Sequence, residues 1–305
     1  MTLALPYLEL PDLVLLEPGK LGEGIPALSL KPFGVLVAAG VYLGALSAVR
    51  YGARRGLQAR ALSWFIVHVV GCGFLFGHVF DVLLYAPERL AQDPWALFRV
   101  WDGLSSFGGF IGGAAGALWF GFRYRVGVLP YADVVASGLP LGWLFGRAGC
   151  ALVHDHPGIA SEAWFAVAYP GGSRLDLGLI ELSLTLPIAI AFLLMQRRAW
   201  PWGFFLGGLC AAYAPVRFFL DFLRIRETVW LPDGEVLPDR RYAALTPAQW
   251  AALLLFGFGV WQLRRAIARS DQDASFAPPK APRAFRRPRS DTDLERGGQD
   301  ASDQR

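Results

Sequence analysis

Apolar residues in this chain fall in long runs rather than short periodic stripes. Seven such stretches lie near 33–50, 61–85, 104–122, 132–152, 177–195, 203–223 and 247–263. A bilayer core about 30 Å thick is crossed by roughly 20 mostly apolar helical residues. The pattern therefore predicts an all-α fold, a polytopic transmembrane helical bundle of about seven spans. The third stretch, LSSFGGFIGGAAGALWFGF, is rich in Gly and Ala. Its Gly109 and Gly113 have the small-xxx-small spacing that lets helix backbones approach closely. The fourth contains Pro140 and Arg147, which fits a helix buried among others.

Composition agrees. Of 305 residues, 54% are hydrophobic and 18% charged, with mean hydropathy +0.37. Soluble domains carry about 25% charge. The net charge of +4 is modest, and its basic residues sit in short loops and the tail, so no nucleic-acid partner is expected. Cys72, Cys150 and Cys210 lie in apolar segments without CxxC spacing, which points to neither a disulfide framework nor a zinc site. No basic region precedes the first apolar stretch, so no cleavable signal peptide is expected.

Basic residues set the expected topology. RYGARRGLQAR follows span 1, Arg123 and Arg125 follow span 3, QRRAWPW follows span 5 and LRRAIAR ends span 7. The positive-inside rule makes that side cytoplasmic, with the N-terminus outside and the C-terminus inside. Against this stand Arg224, Arg226, Arg240 and Arg241 on the outer side, in a longer loop of lower basic density. The expected organisation is an outer segment over 1–32 and a membrane domain over 33–265. Insertions near 153–176 and 225–246 fall on its outer face. A Pro-, Arg-, Asp- and Ser-rich cytoplasmic tail over 266–305 is expected to be disordered.

Ionisable residues inside spans are costly and mark functional sites. His78 and Asp81 lie three apart in span 2. Arg147 lies in span 4, and Glu181 near the start of span 5. Arg217, Asp221 and Arg224 share one face of span 6. The topology puts His78, Arg147, Glu181, Arg217 and Asp221 in the outer half of the membrane, as if around one wet cavity. Two arginines there suit an anionic lipid phosphate. Arg217 with Asp221 also reads as a simple ion pair, His78 as a packed histidine, and Arg224 as a snorkelling side chain. His154-Asp155-His156 follows span 4. Its spacing supplies no third strong ligand, so no metal is expected and the segment reads as a polar loop at the cavity mouth.

Several blocks resemble the prolipoprotein diacylglyceryl transferase family. WDGLSSFGGFIGG at 101–113 is similar to its WEGGxSFHGGLIGG. GRAGCALVHDHPG at 146–158 resembles its GRxGNFxNxExxG, RFFLDFLR at 217–224 its RFxxEFxR, and LTPAQW at 245–250 the start of its last helix. The resemblance implies transfer of a diacylglyceryl group from phosphatidylglycerol to the lipobox cysteine thiol of a prolipoprotein. It needs no cofactor and takes place in the bacterial inner membrane, among membrane lipids. It implies catalytic roles for Arg147, Arg217 and Asp221, with Gly108, Gly109, Gly146, Gly149, Cys150, His154, His156, Gly158, Glu181 and Asp81 lining the substrate. Phe107 replaces the family histidine, Cys150 and Val153 replace its asparagines, and Phe33 stands where a tyrosine is expected. His78, held by Asp81, is then the first candidate base, with His154 and His156 as rivals. The departures leave room for a non-catalytic paralogue that binds anionic lipid or lipoprotein. A transporter is the second alternative, and no inverted repeat supports it.

Overall fold

The computed structural model describes residues 4–8, 11–16, 28–85, 90, 93–99, 103–225, 227–230, 236–238, 241–270, 272, 276–279 and 282–285. Long helices occupy all the expected stretches: α1 Pro32–Arg54, α2 Ala59–Phe80, α3 Ser106–Tyr124, α4 Leu129–Val153, α5 Leu177–Met195, α6 Phe204–Leu220 and α7 Pro247–Ala268. Five are long and apolar enough to cross a membrane: Pro32–Arg54, Ala59–Leu83, Leu177–Met195, Phe204–Leu223 and Pro247–Ala268. The chain is thus a multi-pass helical membrane protein. The remaining two are the glycine-rich α3 and α4, which carries Asp133 and Arg147. Large apolar side chains such as Tyr42, Val67, Leu118, Phe122, Ile190 and Leu254 point outward. Water would not tolerate so wide an apolar surface, and lipid does.

The chain forms two compact units, Met1–Arg55 with Leu129–Ala277, and Gly56–Val128 with Pro278–Arg305. In the first, α4 packs against α1, α5 and α6, and α7 packs on α6. Gly40 and Gly44 of α1 face Gly142 and Gly138 of α4. A methyl group built on Gly142 would stand 2.9 Å from the Gly40 carbonyl oxygen, so only glycine permits this approach. Gly142→Val is expected to destabilise the protein by about 1–3 kcal/mol, read by thermal unfolding in detergent. Unchanged stability would deny the close seam.

In the second unit, α2 packs on α3. The close-approach residues are Gly108, Gly112 and Gly116, set against the carbonyls of Phe76, Cys72 and His68. Gly109 and Gly113, expected from their spacing, sit beside this seam. Methyl groups there would meet their nearest neighbours at 3.8 and 3.6 Å, ordinary contact distances. The register is thus one residue earlier than expected.

Between α4 and α5 the chain forms a three-stranded antiparallel sheet, in the order β3 (Pro157–Ala160), β5 (Gly172–Asp176), β4 (Val167–Tyr169). Leu5 extends it beside β4, its N–H donating to Ala166 O at 2.7 Å and its carbonyl accepting from Ala168 N at 3.0 Å. Gly158 of β3 bridges to Arg224, just past α6. Two hairpins complete the fold, β1 (Leu13–Leu16) with β2 (Leu28–Leu30), and β6 (Glu227–Trp230) with β7 (Val236–Pro238). Two residues of the tail make contacts with the helices and their loops. Ala277 O accepts from Trp202 Nε1 at 2.8 Å, and the Phe285 ring lies 5.1 Å from that of Tyr124. Residues 286–305 lie outside the described residues.

Candidate functional site

Arg147 lies on the last turns of α4, with its side chain 15% exposed. Its Nε stands 2.9 Å from Glu181 Oε1 on α5. The same oxygen accepts from Tyr213 Oη at 2.6 Å and from Trp143 Nε1 at 3.1 Å. The Trp143 ring lies under the guanidinium, 5.1 Å away. Neither aromatic residue was anticipated. A signal was available, since each precedes an arginine by four residues on the same helix face, Trp143 before Arg147 and Tyr213 before Arg217.

Arg217 follows on α6. Its Nη2 lies 3.1 Å from Asp221 Oδ1, and Arg224 Nη1 lies 3.8 Å from the same oxygen. Asp221 is 1% exposed. Thr246 Oγ1 donates to its other oxygen while also capping α7 in a capping box with Gln249. That gives the LTPAQW block a physical reason: it begins the helix and anchors the carboxylate. Among the described residues, three guanidiniums (Arg147, Arg217, Arg224) thus face two buried carboxylates (Glu181, Asp221), an excess of one positive charge. An anion is the ligand such an excess favours.

Beyond Arg147 comes a corner built from Cys150, Asp155 and His156. Arg147 Nη1 is 3.8 Å from Cys150 Sγ. Potential ligand atoms of Cys150, Asp155 and His156 lie within 4.8 Å of one another. The His156 Nδ1–H donates to Asp155 Oδ1. That hydrogen bond, then Cys150, pushes the imidazole up to about 9. These are metal-ligating residue types, unanticipated as a trio, but the guanidinium beside the sulfur opposes a bound cation. The arrangement suits proton transfer, since the ring is 46% exposed and a carboxylate orients it.

His154 is engaged elsewhere. Its Nδ1–H donates to Asp176 Oδ2 at 2.5 Å, its Nε2 accepts from Leu8 N at 3.3 Å, and Tyr7 stacks on it. Asp176 also accepts from Tyr169 Oη at 2.8 Å and caps α5 through Leu179 N at 2.9 Å. Burial and Asp176 push the Tyr169 phenol up, so it remains a donor. His154 therefore ties the N-terminal segment to the sheet. Asp176→Ala removes a helix cap and leaves two donors unpaired, and is expected to cost about 2–4 kcal/mol in thermal unfolding. A loss under about 0.5 kcal/mol would deny this role.

His78 lies in the other unit and is completely buried. Its Nδ1 lies 3.2 Å from Gly103 O and its Nε2 3.1 Å from Ala96 O. The expected pairing with the Asp81 carboxylate is replaced by these carbonyls, and both ring nitrogens face backbone oxygens rather than a substrate. Asp81 begins a π-helical turn that continues α2. Three of the candidate glycines have packing accounts. Gly108 backs onto Phe76 and Phe80, Gly149 onto the Phe33 ring, and Gly158 onto the carbonyls of Leu223 and Leu175. Gly109 makes only loose contact, and a side chain at Gly146 would meet open space. Phe107 lies in α3, where its side chain is outside the described residues.

A sequence profile for prolipoprotein diacylglyceryl transferase matches residues 24–264. The chain belongs to this family. Among its relatives, the phosphatidylglycerol–prolipoprotein diacylglyceryl transferase of Chromohalobacter salexigens is 33% identical over 228 residues, 69% of this chain and 85% of the relative. Those of Roseobacter denitrificans and Agrobacterium fabrum are each 29% identical, over 225 and 265 residues. They cover 67% and 79% of this chain, and 75% and 91% of the relatives. Family membership makes the chain a transferase of the diacylglyceryl type and sets aside the transporter alternative. The family match also spans the elements that carry Arg147, Glu181, Arg217 and Asp221.

Proposed function

We propose that this protein transfers the diacylglyceryl group of phosphatidylglycerol to the lipobox cysteine thiol of a prolipoprotein, in the outer half of the bacterial inner membrane. One observation carries the reading: a guanidinium cluster over two buried carboxylates, with one positive charge in excess, inside a helical membrane unit. The lipid phosphate docks on Arg147 and Arg217, with Arg224 at the edge. Glu181, Tyr213 and Trp143 fix Arg147, while Asp221 and Thr246 fix Arg217. The thiol sulfur attacks the glyceryl carbon bonded to the phosphate oxygen, forming C–S as C–O breaks. Glycerol phosphate leaves, its charge held by the arginines. The thiol proton passes to His156, which Asp155 orients. His156 thus takes the role first given to His78.

Expression in a strain depleted of its own transferase tests this. The protein should restore growth, and a lipoprotein N-terminal peptide should gain a diacylglyceryl group. An inserted, folded protein that leaves the peptide unmodified excludes the reading.

The supporting topology has seven spans, residues 153–176 outside and 51–60 inside. A cysteine at exposed Glu162 should react with an impermeant thiol reagent in intact cells. One at Ala59 should react only after permeabilisation. The reverse pattern overturns that orientation.

A further inference from the structure

At the other end of α1, in the same unit, a pair of arginines borders an apolar cavity. Phe33, at the start of this helix, packs on Gly149 beside the transfer site. Arg50 and Arg54 lie at its far end. At 1.5 Å per residue that is about 30 Å away, the thickness of a bilayer core.

There a cavity of about 270 Å³ opens between α1, α4 and α5. Its walls are Leu43, Leu46, Leu141 and Leu193. Arg50 and Arg54, one turn apart on α1, stand at its end and are exposed. None of the lining residues is acidic. Among the described residues, neither guanidinium has an ion-pair partner. The cavity's other polar lining is internally satisfied. Ser47 Oγ donates to Gln196 Oε1 at 3.1 Å, and Gln196 Nε2 donates to Ser137 O at 2.9 Å. The residual polarity is therefore two positive charges above an apolar slot. A phosphate attached to an acyl chain matches both parts at once. A free anion would leave the leucines unused, and a zwitterionic lipid would bring a repelled ammonium.

We propose that this cavity holds an anionic phospholipid of the leaflet opposite the transfer site, with its phosphate between Arg50 and Arg54 and one acyl chain along Leu43, Leu46, Leu141 and Leu193. This lipid is not a transfer substrate. It packs against α1, α4 and α5 at the end remote from Arg147 and Glu181.

Native mass spectrometry of the delipidated full-length protein, titrated with phosphatidylglycerol, tests this. Arg50→Gln/Arg54→Gln should bind one lipid fewer than the wild type. Leu141→Trp, which fills the slot without changing charge, should lose the same lipid. Both variants should keep wild-type lipid transfer. Phosphatidylcholine should not replace the lost lipid, and soluble glycerol phosphate should not compete for the site. Wild-type stoichiometry in both variants overturns the proposal. Equal binding of phosphatidylcholine, or displacement by glycerol phosphate alone, overturns it too, assigning the cavity to any lipid or to a free anion. Loss of the substrate site instead of this one would appear in Arg147→Ala, so the two failures are separable.

Discussion

Arg147→Ala and Arg217→Ala are each expected to lower lipid transfer by about 10²–10³-fold, the usual cost of removing one donor to a developing oxyanion. Arg147 bears the larger effect because its side chain is the less exposed, 15% against 30% for Arg217. Water cannot replace it easily. Breaking its pair with Glu181 also leaves a buried carboxylate without its ion-pair partner, held only by Tyr213 and Trp143, which costs up to about 3–5 kcal/mol of stability. The rate should therefore be measured below the variant's unfolding temperature. Arg147→Lys separates charge from shape. An ammonium retains the charge and loses the planar fork, so its activity should fall between wild type and alanine. Transfer to a lipobox peptide in proteoliposomes is the measurement. Full activity in Arg147→Ala would remove the phosphate clamp from the mechanism.

His156→Gln is expected to reduce transfer by about 10²–10⁴-fold at about pH 8–9, where an appreciable fraction of the imidazole is unprotonated, the range for a lost general base. The dependence on pH carries the sign. With the imidazole held up at about 9, its proton-accepting form grows as pH rises through that value. A free thiol ionises near 8.5, so above about 9 the acceptor is already thiolate and needs no base. The deficit of His156→Gln should therefore shrink at high pH. A deficit constant across pH would mean that His156 only positions its neighbours. His78→Gln, in contrast, should lower stability by about 1–3 kcal/mol, because two carbonyls lose their contacts, while transfer by the folded protein persists.

The membrane helices were legible because lipid imposes a length and a polarity that the sequence must spell out. So were the intramembrane charges Arg147, Glu181, Arg217 and Asp221, since an apolar run makes each conspicuous. Their pairing was only half legible. Arg217 with Asp221 is a local i,i+4 pair, whereas Arg147 finds Glu181 across 34 residues, on another helix. The glycine seam shows the same limit. Gly108–Gly112 and Gly109–Gly113 have identical spacing, and only the facing helix selects one register. His78 looked paired with Asp81 because i,i+3 neighbours share a face. Its actual partners, the carbonyls of Ala96 and Gly103, are 18 and 25 residues away, and backbone carbonyls leave no trace in side-chain patterns. The Cys150, Asp155 and His156 corner was hidden for a related reason. The chain turns just after α4, at His154 with φ of +50°, which brings the loop back beside the helix end.

The most direct measurement uses the purified protein in phosphatidylglycerol liposomes with a lipobox peptide, followed by intact mass analysis of the peptide. The peptide is expected to gain one diacylglyceryl group on its cysteine sulfur. Glycerol phosphate should appear in equal amount, and both products should vanish with the Arg147→Ala/Arg217→Ala protein. A folded wild-type protein that binds phosphatidylglycerol yet returns the peptide unmodified, with no glycerol phosphate released, would contradict the proposed transfer.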